Sequence, residues 1–414
     1  MPEHHQILNF LLLLALIVAA AKGAGWLSLR LGQPAVLGEL LAGVVLGPSL
    51  LDLLHLKPFA GEGMAAGVFL LANLGVVLLM FIGGLETDLE QMRAVGRVAA
   101  AAGAAGVVVP LLLGLAVALP FGFGLQKSAF MGIVLAATSV SITVQTLIEL
   151  GQLDSKEGTT LLGAAVVDDV IALLILSLFV AVSLAGGGVA DVGGVVLRMA
   201  AFFVVAILLG RVFRGVLGRA AQAPVSEGLL AATLVAVLAY AWSAEALGGV
   251  AAITGAYLAG VLVAQGGYRH EVEHRLKAFT YALLVPIFFV SIGLQTNARA
   301  LAAQDIPLAL LIILAAVAGK VIGCGAGARL AGFTGPEALR IGVGMISRGE
   351  VGLIIAAIGL QTGLLADRGF AIMVITVLAT TVITPPLLRA VFAAVPPSEE
   401  AAIEAAFGHP DDSR

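Results

Sequence analysis

Two adjacent carboxylates stand in a strongly apolar stretch of this sequence. Asp168 and Asp169 follow Gly-Ala-Ala-Val-Val and precede Val-Ile-Ala-Leu-Leu-Ile-Leu. An ionisable group near the centre of a bilayer costs about 2.5–3.5 kcal/mol on insertion scales, so it is rarely present without a function. Neighbours on a helix point about 100° apart, so the two side chains make different contacts. A carboxylate binds either a cation or a proton. The pattern therefore indicates a site at which a cation and a proton compete for the same carboxylate. The alternative is a structural polar pair bonded to other helices.

A lysine lies in a second apolar run. Lys320 is near the middle of the segment 306–331. A buried ammonium needs a carboxylate partner, and Asp168 and Asp169 are both candidates. Burial also favours the neutral form of the amine, so the proton of Lys320 is itself exchangeable. The alternative is snorkelling, in which the side chain reaches the membrane interface along its own stem.

Two further polar stretches predict interrupted helices. Residues 138–143 contain four hydroxyl side chains, which can cap freed backbone groups or bond across helices. Residues 342–352 contain four glycines and the triplet Arg348-Gly-Glu350. Each glycine weakens a helix by about 1 kcal/mol relative to alanine. Broken backbone is tolerated at membrane depth only where it lines a cavity or is buried in protein. Arg348 and Glu350 can pair to hold such a break, or they can contact a substrate.

The composition is that of a protein embedded in lipid. Of 414 residues, 60% are hydrophobic and 12% are charged, and the mean hydropathy is +1.09. A soluble domain carries about 25% charged residues, so a water-exposed surface cannot be built from this supply. The net charge of −4 and the lack of basic runs argue against a nucleic-acid partner. The single cysteine, Cys324, excludes an internal disulfide framework.

Enzyme and metal signatures are absent from the sequence or weak. No phosphate-binding glycine loop, nucleophile elbow or zinc motif occurs, so neither an enzyme nor a resident cofactor is predicted. His270 and His274 have the i, i+4 spacing of a metal pair and stand beside Glu271 and Glu273. A solvated loop face is the favoured interpretation of that stretch.

The apolar pattern predicts an all-α integral membrane protein of about thirteen spanning helices. A spanning helix needs about 20 predominantly apolar residues. The segments that qualify centre on 6–29, 35–54, 66–85, 97–121, 127–149, 159–184, 195–218, 226–247, 250–266, 278–296, 306–331, 336–361 and 368–393. The second and the ninth are short and rich in glycine. The polar residues 396–414 form a predicted short tail.

The distribution of Lys and Arg predicts the orientation. With the N-terminus outside, the inner loops and the tail hold fourteen of these residues and the outer loops hold five. This bias follows the positive-inside rule and places the C-terminus in the cytoplasm. A faint repeat, Gly38-x-x-Leu-Ala-Gly43-Val and Gly255-x-x-Leu-Ala-Gly260-Val, is what inverted repeats of a transporter would give.

Taken in order, several motifs resemble one family of transporters. They are Gln33-Pro34 through Gly47-Pro48, Phe81-Ile-Gly-Gly-Leu-Glu86, Ala137-Thr138-Ser139-Val140, Gly163-Ala-Ala-Val-Val-Asp168-Asp169, Pro286-Ile-Phe-Phe-Val-Ser-Ile-Gly293 and Arg348-Gly349-Glu350. The sequence resembles the monovalent cation:proton antiporters, in particular the bacterial NapA-like Na⁺/H⁺ exchangers with an Asp-Asp motif. The match covers nearly the whole chain.

The resemblance implies a transmembrane domain over 1–395 with an NhaA/NapA-like fold. Helices within about 97–184 and 306–393 would form a mobile core, and the remaining helices would form a dimerisation scaffold. Two broken helices would cross in the core, near 138–143 and near 344–350. The assembly that the resemblance implies is a homodimer in the bacterial inner membrane.

The resemblance also implies roles for individual residues. Asp169 matches the ion-binding aspartate, and Asp168 matches its neighbour, which pairs with a lysine matching Lys320. In the expected mechanism, oxygens at Thr138 and Ser139 also bind Na⁺. Arg348 and Glu350 have a structural role and hold the broken helix. By the same resemblance, Na⁺ or Li⁺ would be exchanged for H⁺, and the exchange would be electrogenic.

Other functions remain open at this level. Potassium-efflux relatives usually carry Gln-Asp in place of Asp-Asp and a soluble nucleotide-binding domain, which favours Na⁺ over K⁺ here. K⁺/H⁺ exchange is the second interpretation within transporters. A cation channel, or a sensor built on a transporter fold, is the alternative of another class.

Overall fold

The structure is a computed structural model that describes residues 2–61, 63–87, 96–153, 155–184, 189–222, 226–297, 299 and 301–393. Regular structure within these residues is helical throughout. The predicted cytoplasmic tail, 396–414, lies outside the described residues. An all-helical chain follows from the composition, because in lipid a helix satisfies every backbone hydrogen bond within its own segment.

Sixteen α-helices are described and are numbered here in chain order. They are α1 (Pro2–Arg30), α2 (Ala35–Leu46), α3 (Met64–Glu86), α4 (Gly96–Ala118), α5 (Gly124–Ala136), α6 (Val140–Glu149), α7 (Lys156–Leu184), α8 (Val189–Gln222), α9 (Gly228–Ser243), α10 (Ala252–Ala264), α11 (Arg269–Phe279), α12 (Val285–Gln295), α13 (Ile306–Leu330), α14 (Gly335–Gly344), α15 (Glu350–Gln361) and α16 (Asp367–Phe392). One turn of π-helix, Thr280–Leu284, joins α11 to α12.

The thirteen predicted segments all coincide with these helices. Nine of the described helical stretches are long and apolar enough to cross a membrane. The other four segments are the short, glycine-rich α2 and α10 and the two that the structure divides, α5 with α6 and α14 with α15. One prediction is wrong: the stretch around His270 is the helix α11 and not a loop, and it continues through the π turn into α12.

The first of two compact units comprises Met1–Asp88 and Leu173–Arg299. Its two copies of the glycine motif make equivalent contacts. A Cβ at Gly43 of α2 would overlap the backbone of Val290 in α12, and one at Gly260 of α10 would overlap the backbone of Phe81 in α3. Only glycine allows helices to approach so closely. These matched crossings are what two copies of one structural repeat predict.

The second unit comprises Leu89–Ala172 and Ala300–Arg414. One order of elements occurs twice in it: a helix, an interrupted helix and a helix, as α4–α7 and again as α13–α16, with α7 continuing beyond Ala172 into the residues of the first unit. The first helices of the two sets, α4 and α13, pack closely. A Cβ at Gly319 of α13 would lie 2.8 Å from Cα of Pro110 in α4. Lys320 is the next residue, so this glycine contact fixes the height at which its side chain leaves α13.

Candidate functional site

The two interrupted helices meet at their breaks. The backbone N–H of Ser139 donates to the carbonyl of Ser347 at 2.9 Å, and the Ser347 hydroxyl donates back to the carbonyl of Ser139. The Thr143 hydroxyl donates to the carbonyl of Gly344 at 2.6 Å. Each break therefore satisfies backbone groups that the other leaves without helical partners. The hydroxyls and glycines that predicted the breaks are the residues that make these bonds.

The backbone at both breaks leaves the helical conformation. Ala137, directly after α5, has φ −63° and ψ 145°, and Gly349, directly before α15, has φ −144° and ψ −129°. A Cβ at Gly349 would lie 2.7 Å from Cβ of Ser139. Glycine at 349 thus lets the second break pass close to the first.

A buried arginine stabilises the crossing. Arg348 is 1% exposed, and its guanidinium donates to the carbonyls of Leu135 at 2.8 Å, Ala316 at 2.7 Å and Ile346 at 2.5 Å. Leu135 is the penultimate residue of α5, where the helix dipole places partial negative charge, and Ile346 lies two residues after the end of α14. The guanidinium of Arg348 is thus bonded to backbone carbonyls beside both breaks, and its pairing with Glu350 stays a prediction.

The lysine meets the first of the two aspartates. Nζ of Lys320 donates to both carboxylate oxygens of Asp168 at 2.9 Å each, and the Thr138 hydroxyl donates to Oδ2 of the same group. Both members of the ion pair have fully buried side chains. Snorkelling is therefore wrong for Lys320. Breaking such a pair would leave an uncompensated buried charge, at a cost of about 3–5 kcal/mol.

The second aspartate has a different environment. Oδ1 of Asp169 is buried and has no hydrogen-bond partner among the described residues. Buried polar atoms are normally bonded, so an orphaned carboxylate oxygen indicates a place for a ligand. Asp169 is next to Asp168 in the chain, and Asp168 already has the Lys320 ammonium as its counter-charge.

The remaining predicted residues divide between these two acids. Thr138 contacts Asp168 and not Asp169. The Ser139 hydroxyl donates to Oε2 of Glu350 at 3.2 Å. The structure therefore brings Asp168, Lys320 and Thr138 into direct contact, and places Ser139 and Glu350 in a second contact at the same crossing.

A small cavity adjoins the crossing within the second unit. Its polar lining is made of hydroxyls, and the rest of its lining is apolar. The lining residues are Thr138, Ser139, Thr143, Val144, Leu147, Leu161, Leu162, Ala165, Gly344 and Met345. It reaches the Thr138 side of the site.

Sequence reasoning missed one residue of the crossing. The Thr381 hydroxyl, from α16, donates to the carbonyl of Arg348 at 2.7 Å. The sequence signal that could have identified it is a series of four threonines in an apolar segment, Thr376, Thr380, Thr381 and Thr384, all of which the structure buries.

The histidine pair of α11 is not part of a larger ligand cluster among the described residues, where no group of three or more His, Cys, Asp or Glu side chains could hold a metal ion. The acids beside the histidines form ion pairs instead, Glu271 with Arg275 at 2.8 Å and Glu273 with Lys277 at 2.7 Å.

Repeated helices, two of them broken and meeting beside buried charges, define a secondary transporter. A family model described as sodium/hydrogen exchanger, transmembrane, matches residues 12–394. The chain is 41% identical over 389 residues to the Na⁺/H⁺-K⁺ antiporter GerN of Bacillus cereus, covering 93% of this chain and 97% of that protein. It is 34% identical over 385 residues to a Na⁺/H⁺ antiporter of Enterococcus hirae, covering 92% and 98%.

A solved structure has the same fold. The sodium proton antiporter MjNhaP1 from Methanocaldococcus jannaschii matches with a TM-score of 0.70 at 16% identity, covering 94% of this chain and 97% of that one. The chain therefore belongs to the sodium/hydrogen exchanger family of monovalent cation:proton antiporters.

Proposed function

We propose that this chain exchanges a monovalent cation, Na⁺ first, for protons across the membrane, with Asp169 carrying either load. The observation that carries the proposal is Oδ1 of Asp169, a buried carboxylate oxygen without a described partner, next to an aspartate that already has one. Membership in the sodium/hydrogen exchanger family supports the reaction class.

Competition at Asp169 is the coupling step. The Asp168–Lys320 pair is neutral as a unit, so an ionised Asp169 leaves one uncompensated charge in the core of the second unit. An unpaired charge is costly inside a membrane protein. A bound proton or a bound cation removes that charge, and the two cannot occupy the same oxygens together. The loaded site crosses the membrane and the empty ionised site does not.

Lys320 sets the stoichiometry. When a cation binds, oxygens of Asp168 and the hydroxyls of Thr138 and Ser139 become ligands together with Asp169. The ion pair between Asp168 and Lys320 weakens as a result. If Lys320 then releases its proton, two protons leave for each cation that binds. The site then carries one negative charge with the cation and none with the proton, so the cycle moves net charge. That negative charge is shared by two carboxylates that both bind the cation, and it is therefore not the isolated charge of an empty Asp169. We propose this electrogenic cycle because the lysine bonds to both oxygens of Asp168 and is fully buried.

The second unit is the part that moves. It contains both breaks, the ion pair and Arg348, so the site can travel as one body without remaking its internal bonds. We propose elevator-type alternating access on this basis, with the first unit as the dimerisation scaffold. A bacterial inner membrane, with the N-terminus outside and the C-terminus in the cytoplasm, fits the distribution of Lys and Arg.

Potassium is the second candidate cation. The relative from Bacillus cereus is named as a Na⁺/H⁺-K⁺ antiporter, whereas the relative from Enterococcus hirae is named for Na⁺ and H⁺ alone. Carboxylate and hydroxyl oxygens are hard donors that accept either alkali ion.

Reconstitution into vesicles tests the exchange. The purified protein is placed in liposomes that hold a pH-sensitive dye, and Na⁺, Li⁺ or K⁺ is added outside, with choline as the control cation. We expect Na⁺ to raise the internal pH as protons leave. Repeating the assay with the membrane potential clamped at different values shows whether the rate depends on voltage, as an electrogenic cycle requires.

Two variants sharpen the assay. Asp169→Asn removes the charge that either load must neutralise, so we expect it to abolish exchange. Glu39→Gln makes the same chemical change on α2 of the first unit and should leave exchange intact. Exchange that persists in Asp169→Asn contradicts the proposal. Cation currents without proton counterflow in the unaltered protein would indicate a channel.

A further inference from the structure

A proline lies inside the helix that packs against the Lys320 side of α13. Pro110 is in the interior of α4 and is buried. Proline has no backbone N–H, so it cannot donate the hydrogen bond that the carbonyl four residues earlier normally accepts in a helix. That carbonyl belongs to Gly106. A proline inside a membrane helix is tolerated because neighbouring groups can bond the carbonyl that it leaves without its usual donor.

The face of α4 that carries Gly106 and Pro110 packs on α13. A Cβ at Gly319 of α13 would lie 2.8 Å from Cα of Pro110, and a Cβ at Gly106 would overlap Sγ of Cys324. Gly106 and Pro110 are about one turn apart along α4, and Cys324 and Gly319 are a little more than one turn apart along α13. The two helices are therefore antiparallel here, and the two contacts stand at neighbouring levels.

Lys320 reaches α4 between those two levels. A Cβ at Gly106 would lie 3.7 Å from Nζ of Lys320. The carbonyls of a helix point towards its C-terminus, so the carbonyl of Gly106 points from the level of Gly106 towards that of Pro110. The carbonyl that lacks its helical donor is therefore on the side of α4 that faces Lys320.

Lys320 does not use this carbonyl while it is paired with Asp168. Nζ donates to both oxygens of Asp168 at 2.9 Å each, and both side chains are fully buried. Within the described part of the chain, no hydrogen bond joins Lys320 to Gly106. A buried donor that loses its acceptor is costly unless it finds another one. A cation that takes the oxygens of Asp168 would place Lys320 in that situation.

We propose that the backbone carbonyl of Gly106 is the second partner of Lys320, which the amine takes when a cation occupies the oxygens of Asp168. Pro110 is then a positioning residue, because it keeps this carbonyl out of the hydrogen bonding of α4. A lysine that has released its proton still has two N–H groups, and one of them donates to the carbonyl. The flexible four-carbon stem lets Nζ change partner while α13 stays in place. This inference rests on the proposed exchange function, in which the cation and Lys320 compete for Asp168.

Pro110→Ala separates this role from a packing role. Alanine restores the backbone N–H that donates to the carbonyl of Gly106 within α4. If Pro110 only packs against Gly319, the substitution changes stability and leaves Na⁺ binding as it is. If the carbonyl is a partner of Lys320, the cation-bound state loses a hydrogen bond, whereas the cation-free state keeps both bonds to Asp168. The KM for Na⁺ should then rise about tenfold.

The test measures the KM for Na⁺ of proton exchange in vesicles at fixed pH, and the rise in Tm with Na⁺ in detergent. The matched control is Pro386→Ala. Pro386 also lies inside a helix of the second unit, α16, and the carbonyl four residues earlier belongs to Val382, which is 42% exposed. We expect Pro110→Ala to raise the KM and to reduce the Na⁺-dependent rise in Tm, and Pro386→Ala to change neither. The Tm of Pro110→Ala without Na⁺ should not fall, because alanine suits a helix interior better than proline.

Lys320→Met shows whether the effect acts through the lysine. Adding Pro110→Ala to Lys320→Met should leave the Na⁺-dependent rise in Tm unchanged, because no amine is left to use the carbonyl.

Two outcomes would overturn the proposal. One is an unchanged KM and an unchanged Na⁺-dependent rise in Tm in Pro110→Ala. The other is a loss of the same size with and without Lys320. If Pro110→Ala does not fold, Pro110→Gly, which restores the same N–H, is measured in its place and judged by the same criteria. A lack of cation-driven proton flux in the unaltered protein would instead reject the exchange function itself.

Discussion

Two lysine–carboxylate pairs, one in each unit, share the same N–O distance and differ in solvation. Nζ of Lys22 in α1 lies 2.9 Å from Oε1 of Glu39 in α2, and Nζ of Lys320 lies 2.9 Å from Oδ1 of Asp168. The Lys22 side chain is 48% exposed and Glu39 is 5% exposed, whereas both side chains of the other pair are 0% exposed.

The difference shows that distance alone does not decide what a pair does. The Lys22 side chain is half exposed, so it can follow the path that snorkelling requires, which the sequence offered as an alternative for Lys320. Lys320 leaves from the middle of α13 and has no route to water. Asp168 also receives the Thr138 hydroxyl, so both of its oxygens are bonded. The buried pair therefore has the larger consequence when one partner is removed.

Asp168→Asn should give the largest loss of stability. It leaves the Lys320 ammonium buried without a counter-charge, at a cost of about 3–5 kcal/mol. The measurement is the unfolding midpoint of the purified protein in detergent. The double variant Asp168→Asn with Lys320→Met should recover most of the loss, since no charge then remains. A single variant as stable as the unaltered protein would mean that water reaches Lys320.

Lys22→Met should give an intermediate loss. It leaves the carboxylate of Glu39, the buried member of the pair, without its described partner, which costs about 1–3 kcal/mol. The same midpoint is compared with that of the double variant Lys22→Met with Glu39→Gln, which removes the orphaned charge and should be more stable than Lys22→Met alone. Equal midpoints for the two variants would show that Glu39 is already neutral in the folded state.

Glu39→Gln should give the smallest loss, below about 1 kcal/mol. The half-exposed Lys22 ammonium turns to water when its partner is neutral, so no buried charge is left. Exchange in vesicles should be unchanged as well. A loss as large as that of Asp168→Asn would remove the distinction between the two pairs.

Much of the fold could be predicted because it depends on local sequence. Lipid requires about 20 apolar residues for each crossing, so the thirteen segments could be located from composition alone. The breaks could be predicted from the glycines and hydroxyls at 138–143 and 342–352, because these residues weaken a helix wherever it packs. The stretch around His270 was misassigned because its charged side chains hide a helix whose polarity is satisfied by i, i+4 pairs such as Glu273–Lys277.

The partners of the site residues depended on contacts far apart in the chain. Lys320 and Asp168 are 152 residues apart, and the sequence offered two adjacent acids as partners without deciding between them. The choice depends on the rotation of α7 about its axis, which is set by packing against other helices. The same holds for Arg348, which bonds to the carbonyls of Leu135 and Ala316, both far from it in the chain.

The sequence by itself determined that the chain is a helical membrane protein, where its helices break and which polar residues lie inside. Those properties follow from transfer free energies and helix propensities, which act over a few residues. Only the tertiary structure decided that Asp168 is bonded to Lys320 and Thr138 while Oδ1 of Asp169 has no described partner. That decision rests on how closely α4, α7 and α13 pack, and close packing is a property of the assembled helices together.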